Sequence, residues 1–419
     1  FLQNRIELRK RDKYFIRAYT TRDNAGDSYD PYFTALRLQQ LAKTNTAYGR
    51  DVVELWVDNY RGRMNELGYP QLQLLDEDGN LIINDDGTFG FFDRDAANDW
   101  LNEFQDTLSN WHSEIRRTIE NNAVQGTTAG GQPFFEPGTD RFNQQFNEIV
   151  SSLNNIGENG TRFFDESSLY HVQGEYTFNP EFASYIKVGA SGRLYAPDSQ
   201  GTIFYDTIST IVNGMDTTFQ QRMITNGEFG IYGGIEKKFL DDALTASATL
   251  RMDKNENFDY LFSPATSLVW KPRPNNYFRM SFSSAIRNPT LSDQFLFLNV
   301  GRATLAGNLE GVQDLITIES FDDYRNSDNL DLSLLERFDI APVRPERVNT
   351  VEAGYRTTLW NSLYVDASYY YSLYDDFLGF NIGIDAEFDD NRIRDLDVFR
   401  YSANSVNRVT TQGFSIGLN

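Results

Sequence analysis

The chain has 419 residues, with 38 Lys plus Arg against 60 Asp plus Glu, a formal net charge of −22 and no cysteine. That balance excludes nucleic acid, whose phosphates call for Lys and Arg, and docking from solution onto anionic lipid heads. The missing cysteine excludes disulfides, iron–sulfur clusters and thiol nucleophiles. His112 and His171 are the only histidines and lie far apart, so the sequence supports neither a multi-histidine metal site nor an ordinary triad. There is no 18-residue apolar run, so a helical membrane span is excluded as well. A β-barrel leaves no such run, because every second residue along its strands is polar. An aromatic content of 14%, with 23 Tyr, suits a water–lipid boundary.

The first 29 residues read as barrel strands, with Ile6 and Leu8 opposed to Arg5, Glu7 and Arg9 and a turn at Asp12-Lys13. Asp30-Pro31 is a helix start, Asp as N-cap and Pro in the first turn. From there to residue 165 the apolar period changes from 2 to 3.6. Val52, Leu55, Trp56, Tyr60 and Met64 share one helical face. Trp100, Phe104, Leu108, Trp111, Ile115 and Ile119 form a second stripe, with Asp93 or Asp95 as its N-cap. Phe142, Phe146, Ile149, Val150 and Leu153 predict a third helix. Residues 30–165 are therefore expected to form a helical loop insert.

Strands resume over 166–288. Tyr170, Val172, Tyr176 and Phe178 oppose His171, Gln173 and Glu175, and Asn179-Pro180-Glu181 turns the chain. Leu244, Ala246, Ala248, Leu250 and Met252 alternate with Thr245, Ser247, Thr249 and Arg251, which predicts even positions on lipid and odd ones on a lumen. Gly230, Gly233 and Gly234 lie mid-strand, where close packing or a bend is their expected use. Residues 289–348 are expected to be a long extracellular loop. Strands close the chain over 349–419, with another loop at 379–409 whose acid-rich part, 385–397, reads as a solvated tip. Long loop, strand, short turn, strand is the rhythm throughout, with about ten strands. The chain also starts and stops in strand-like segments and reads as an internal piece of a longer protein.

Two runs carry a resemblance. Ile286-Arg287-Asn288-Pro289-Thr290-Leu291-Ser292-Asp293-Gln294-Phe295 follows a strand, and Arg344-Pro345-Glu346 with Glu352-Ala353-Gly354-Tyr355-Arg356 opens another. In this order and context the region 277–380 resembles the barrel of TonB-dependent outer-membrane receptors. The resemblance implies an all-β, transmembrane antiparallel barrel that binds an extracellular ligand and imports it across the cell outer membrane. It also implies an energising inner-membrane TonB-type partner acting through a plug that would precede residue 1, with a surface lipoprotein left open as a further partner. Two other readings stand beside it: a structural or accessory barrel of an envelope complex, and a secreted soluble all-β binding protein.

Sites are sparser. Asp76, Asp78 and Asn80 offer the alternation of a calcium loop, but Gly79 sits one place early and a hairpin turn accounts for the run equally well. No metal, cofactor or catalytic constellation is expected. Trp56, Trp100 and Trp111 read first as a helix core. With Arg287 of the Arg-Asn-Pro run, they are also the candidate ligand-binding residues, and the helical insert is expected to supply specificity.

Overall fold

A computed structural model describes residues 2–75, 79–83, 89–121, 134–155, 157–158, 160–212, 216–327, 330–360, 362–389 and 391–419. The chain divides into two compact units, Tyr29–Ser152 and the remainder, Phe1–Ser28 with Leu153–Asn419. The helical unit thus ends earlier than the expected residue 165. Leu153 already pairs with Arg162, and the stretch up to 167 bonds back onto 23–28 through Phe163, Asp165 and Ser167.

In chain order the elements begin with β1 (Leu2–Lys10) and β2 (Tyr14–Arg22). The helical unit follows with α1 (Pro31–Ala42), α2 (Asn45–Asn59), α3 (Arg61–Glu66), α4 (Arg94–Glu103), α5 (Gln105–Glu120) and α6 (Asp140–Ser151). Next come β3 (Ser168–Phe178), β4 (Tyr185–Ala196), β5 (Thr207–Val212), β6 (Asp216–Gln221), β7 (Asn226–Phe239), β8 (Leu244–Asn255), β9 (Phe258–Arg273) and β10 (Asn276–Arg287). The expected loop at 289–348 is instead built from α7 (Leu291–Phe295), β11 (Phe297–Asn299), β12 (Thr304–Ala306), β13 (Val312–Ile316), α8 (Ile318–Asn326) and β14 (Arg337–Ile340). The chain ends with β15 (Glu346–Leu359), β16 (Leu363–Asp375), β17 (Leu378–Asp389), β18 (Arg392–Asn404) and β19 (Val409–Leu418).

Eleven strands form one antiparallel sheet in the order β1-β2-β3-β4-β7-β8-β9-β10-β15-β16-β19, so β1 and β19 are open edges and the barrel is partial. At one end the connections are short, residues 11–13, 179–184, 240–243, 274–275 and 360–362. Several of them use left-handed residues suited to tight hairpins, among them Asp12, Asp241, Asp242 and Asn275. At the other end stand 23–167, 197–225, 288–345 and 376–408, and only 256–257 is short.

Register settles the two faces. One row runs Ile6, Ala18, Val172, Gly192 and Phe229; another runs Leu244, Trp270, Phe278, Tyr355, Ala367 and Ile416. The large side chains of this face are uncovered, with Leu250 at 53% and Met280 at 58% exposure. A belt of that extent is intolerable in water and is what lipid requires. Stacked or tilted rings, Tyr14–Tyr176, Tyr176–Phe178, Trp270–Phe278 and Phe278–Tyr355, line it near the short turns. The opposite face is polar. There Ser247 bonds Ser267 at 2.7 Å, Thr350 bonds Ser372 at 2.8 Å, and Arg279 and Arg356 both grip Asp366. As expected, even positions of β8 lie in the apolar face and odd ones in the polar face.

The two loops after β10 and β16 fold together. Their strands form a six-stranded sheet, β11-β12-β18-β17-β13-β14, with β12 and β18 parallel. The acid-rich stretch is the turn end of the β17–β18 hairpin, paired as strand rather than loop, and its carboxylates Asp385, Glu387, Asp389, Asp395 and Asp397 are exposed. Asp385 and Asp397 face each other on β17 and β18, a like-charge pairing held by the core of Ile316, Phe321, Tyr324 and Ile384 on the even-numbered face of β17.

Among the described residues of the helical unit six helices replace three, because the first breaks at Lys43-Thr44 and at Tyr60 and the second at Phe104. The caps are as expected, Asp30 accepting from the Phe33 N–H and Asp93 from the Ala96 N–H. Tyr60, Trp111, Ile115 and Ile119 form the core, and Lys43 and Asp51 make a fully buried ion pair. In the 72–83 stretch Leu75 pairs antiparallel with Leu81 and Gln73 with Phe91, while residues 76–78 of the expected hairpin turn lie outside the described residues. No described helix is long and apolar enough to cross a membrane.

Candidate ligand-binding cavity

Where β4, β7, β8 and β10 end towards the long connections, the polar face holds a cavity of about 750 Å³. That is the size of an ordinary small-molecule site. The strands that build it carry side chains of one parity, so Gln173, Ser191, Arg193, Glu228, Tyr232, Arg251 and Asp253 all reach one space.

Glycines make room for the larger of these side chains. A Cβ at Gly189 would run into the ring of Tyr232, and one at Gly230 would meet Arg251 and Asp253. Tyr232 crosses over Gly189 and donates its hydroxyl to Glu175 at 2.7 Å. Arg251 donates from Nε to both carboxylate oxygens of Asp253, at 2.8 and 2.9 Å, and reaches Ser191 at 3.1 Å. Arg193 pairs with Glu228 at 2.9 Å. The cavity's charges are thus largely paired side by side on the wall.

Two connections complete the site. After β4, Asp206 is buried and accepts from the N–H groups of Ser199 and Gly201, at 2.6 and 2.5 Å, folding a turn that sets Phe204 at the wall. Beside it, burial together with Asp206 and Glu166 pushes the Asp198 carboxyl above its ordinary range. After β10 comes the Arg-Asn-Pro run. Asn288 donates to Glu228 at 3.2 Å, and Thr290 and Asp293 form a capping box at the start of α7. Gln294 donates to the Pro289 carbonyl at 2.8 Å and accepts from Asn257 at 2.7 Å, tying this run to the β8–β9 turn. The second run works nearby: Glu346 lies opposite Arg287 and accepts from the Leu378 N–H at 3.1 Å.

Of the residues singled out in the sequence, Arg287 lines this cavity, exposed at the end of β10, and it has no ion pair among the described residues. The tryptophans lie elsewhere. Trp111 is in the core of the helical unit, and Trp100 is buried against Tyr69 and Phe104 with its indole N–H on the Leu67 carbonyl at 2.9 Å. Both side chains are buried within the helical unit, where the stripe reads first as a helix core. Trp56, half-buried and stacked on His112, is the one of these three tryptophans with surface left to offer. Asp76 and Asp78 lie outside the described residues; Asn80 is exposed next to Gly79, and no metal-binding cluster of three or more His, Asp or Glu exists among the described residues. Sequence reasoning missed Asn226, Glu228, Arg251, Asp253, Asn255 and Asn288, which only strand register collects. The mid-strand glycines were the available signal.

An antiparallel sheet with one lipid face, one polar face, short turns at one end and long connections at the other defines an outer-membrane barrel. The chain belongs to the TonB-dependent receptor family: the family described as TonB dependent receptor-like, beta-barrel matches residues 5–419. That family resides in the Gram-negative outer membrane, and its members are transporters rather than enzymes.

Solved structures similar to this chain include the siderophore receptor PirA from Pseudomonas aeruginosa, at 12% identity and a TM-score of 0.42, covering 61% of this chain and 40% of that one. The FrpB iron transporter from Neisseria meningitidis (F3-3 variant) is similar at 12% identity and 0.37, covering 62% and 34%. A hemophore receptor HasR from Serratia marcescens, solved with its hemophore HasA and heme, is similar at 10% identity and 0.34, covering 61% and 46%. The chain therefore spans less than half the length of each. No curated protein matches in sequence.

Proposed function

We propose that this chain is the ligand-capturing part of an outer-membrane importer. The observation that carries the reading is the polar cavity at the long-connection end of a lipid-belted sheet. A solute arriving from outside would meet that end first. Binding there, on rigid strand ends, would hold the solute at the mouth of the polar face until an energised movement admits it. A plug and a TonB-type inner-membrane partner would supply that movement. A surface lipoprotein over the long connections is a further partner in this reading.

The helical unit is proposed as a second recognition element. It has its own core and caps, which a plain connection would not need, and it exposes Leu41, Val53 and Val57. Trp56 is its ring of choice for such a contact.

The test works with the ligand still unidentified. Cells with and without the protein are grown in a complex medium, and solute depletion is followed by mass spectrometry. The expected result is one solute class depleted only by cells that carry the protein. A protonophore should abolish depletion and leave surface binding. If no solute is depleted beyond the control, the importer reading falls.

A further inference from the structure

Three carboxamides at this cavity have an atom that is buried yet makes no hydrogen bond: Asn226 Oδ1, Asn255 Nδ2 and Asn288 Oδ1. Asn226 and Asn255 are themselves 3% and 1% exposed. Two of the three orientations are dictated by what the other end does. Asn255 Oδ1 accepts from the Asn257 N–H at 2.9 Å, so its NH2 is the free end. Asn288 donates its NH2 to Glu228, so its oxygen is the free end. Buried polar atoms are nearly always paired, and three orphans on one wall are an unfilled demand for hydrogen bonds.

The demand has a definite pattern. Asn226 and Asn288 ask for donors, and Asn255 asks for an acceptor. All three side chains line the cavity, and the terminal torsion of Asn is broad and soft. A phosphate, a carboxylate or the ligating oxygens of a ferric chelate carry no proton to give the two acceptors. An alcohol serves both kinds of partner, because a hydroxyl donates once and accepts twice. Of the cavity's charges, Arg193 and Arg251 are already neutralised by Glu228 and Asp253, and Arg287, exposed at the end of β10, is the one lining cation without an ion pair among the described residues. Phe15, Tyr195 and Phe204 add ring faces to the same wall, apolar surface for the C–H side of a sugar ring.

We infer that the cavity takes a neutral, hydroxyl-rich ligand, an oligosaccharide, with Asn226, Asn255 and Asn288 as its specificity-determining contacts. This rests on the receptor reading above and names the solute class that reading leaves open.

The experiment uses the full-length protein in detergent, titrated with a panel of neutral hexose and pentose oligosaccharides and, in parallel, with ferric catecholate and ferric hydroxamate chelates. At least one oligosaccharide should bind and no chelate should. Asn226→Leu removes the orphaned oxygen at similar volume. It should weaken oligosaccharide binding by roughly tenfold or more and leave the melting temperature unchanged or higher, since an unpaired buried atom is lost. Asn226→Asp keeps an acceptor and should retain binding. Binding of a ferric chelate in place of sugars overturns the inference and leaves the importer intact. So does an oligosaccharide panel without a binder while cells still deplete another solute. A melting temperature that falls in Asn226→Leu overturns it too, because the carboxamide would then be serving protein packing.

Discussion

Ala248→Arg and Thr249→Arg place the same side chain on neighbouring positions of β8, and the structure sends them to opposite solvents. Ala248 faces the apolar belt, paired with Ile235 on β7 and Thr266 on β9. It lies four residues from Leu244 and four from Met252. At about 3.3 Å per residue that is roughly 13 Å from either end, the middle of a band about 25 Å tall. An arginine there costs about 2–4 kcal/mol, or roughly 30- to 700-fold in the folding equilibrium. Thr249 faces the polar side, between Gly234 and Ala265, where water and the neighbouring Ser247 and Ser267 accommodate a guanidinium. Heat-modifiability on gels of native outer membranes reads the difference: the compact unboiled band should be lost or depleted for Ala248→Arg and retained for Thr249→Arg. Equal tolerance of both would refute the assignment of the faces, and with it the barrel.

Other consequences are open to direct measurement. Gly189→Val should destabilise the sheet by about 1–3 kcal/mol, because the added side chain must displace the Tyr232 ring from Glu175; a melting temperature equal to the parent's would show that the ring has room. Asp198 has a raised carboxyl pKa in the folded chain, so its contribution to stability is present at acid pH and lost as pH rises through the folded value. Asp198→Asn should accordingly raise the melting temperature at neutral pH, with the gain vanishing towards pH 4; a loss of stability at neutral pH would contradict the burial argument. Replacing Tyr29–Ser152 by a Gly/Ser linker should leave membrane insertion intact, since residues 23–28 and 153–167 are already bonded to each other, and should weaken ligand capture. Failure to insert would mean that the helical unit is needed to form the sheet.

Some of this protein is local, and the sequence by itself determined it. Alternation along Leu244–Met252 places side chains on faces because a strand has period 2 whatever surrounds it. Asp30-Pro31 and Asp93 start helices because a cap needs only its own next turn. The glycine positions 230 and 234 announced close approach, though not to what. The tertiary structure decided the rest, because it depends on partners distant in the chain. Tyr60 and Phe104 break stripes that read as continuous, since helices that turn there bring Trp111 against Tyr60 in one core. The loops after β10 and β16 looked structureless because each supplies only part of a sheet, and the Thr304–Phe399 pairing spans segments that no local pattern connects. The cavity is the extreme case. Asn226, Asn255 and Asn288 are ordinary asparagines at three strand ends, and only the register of β7, β8, β9 and β10 gathers them around one space, because neighbouring strands share faces and their ends share a rim.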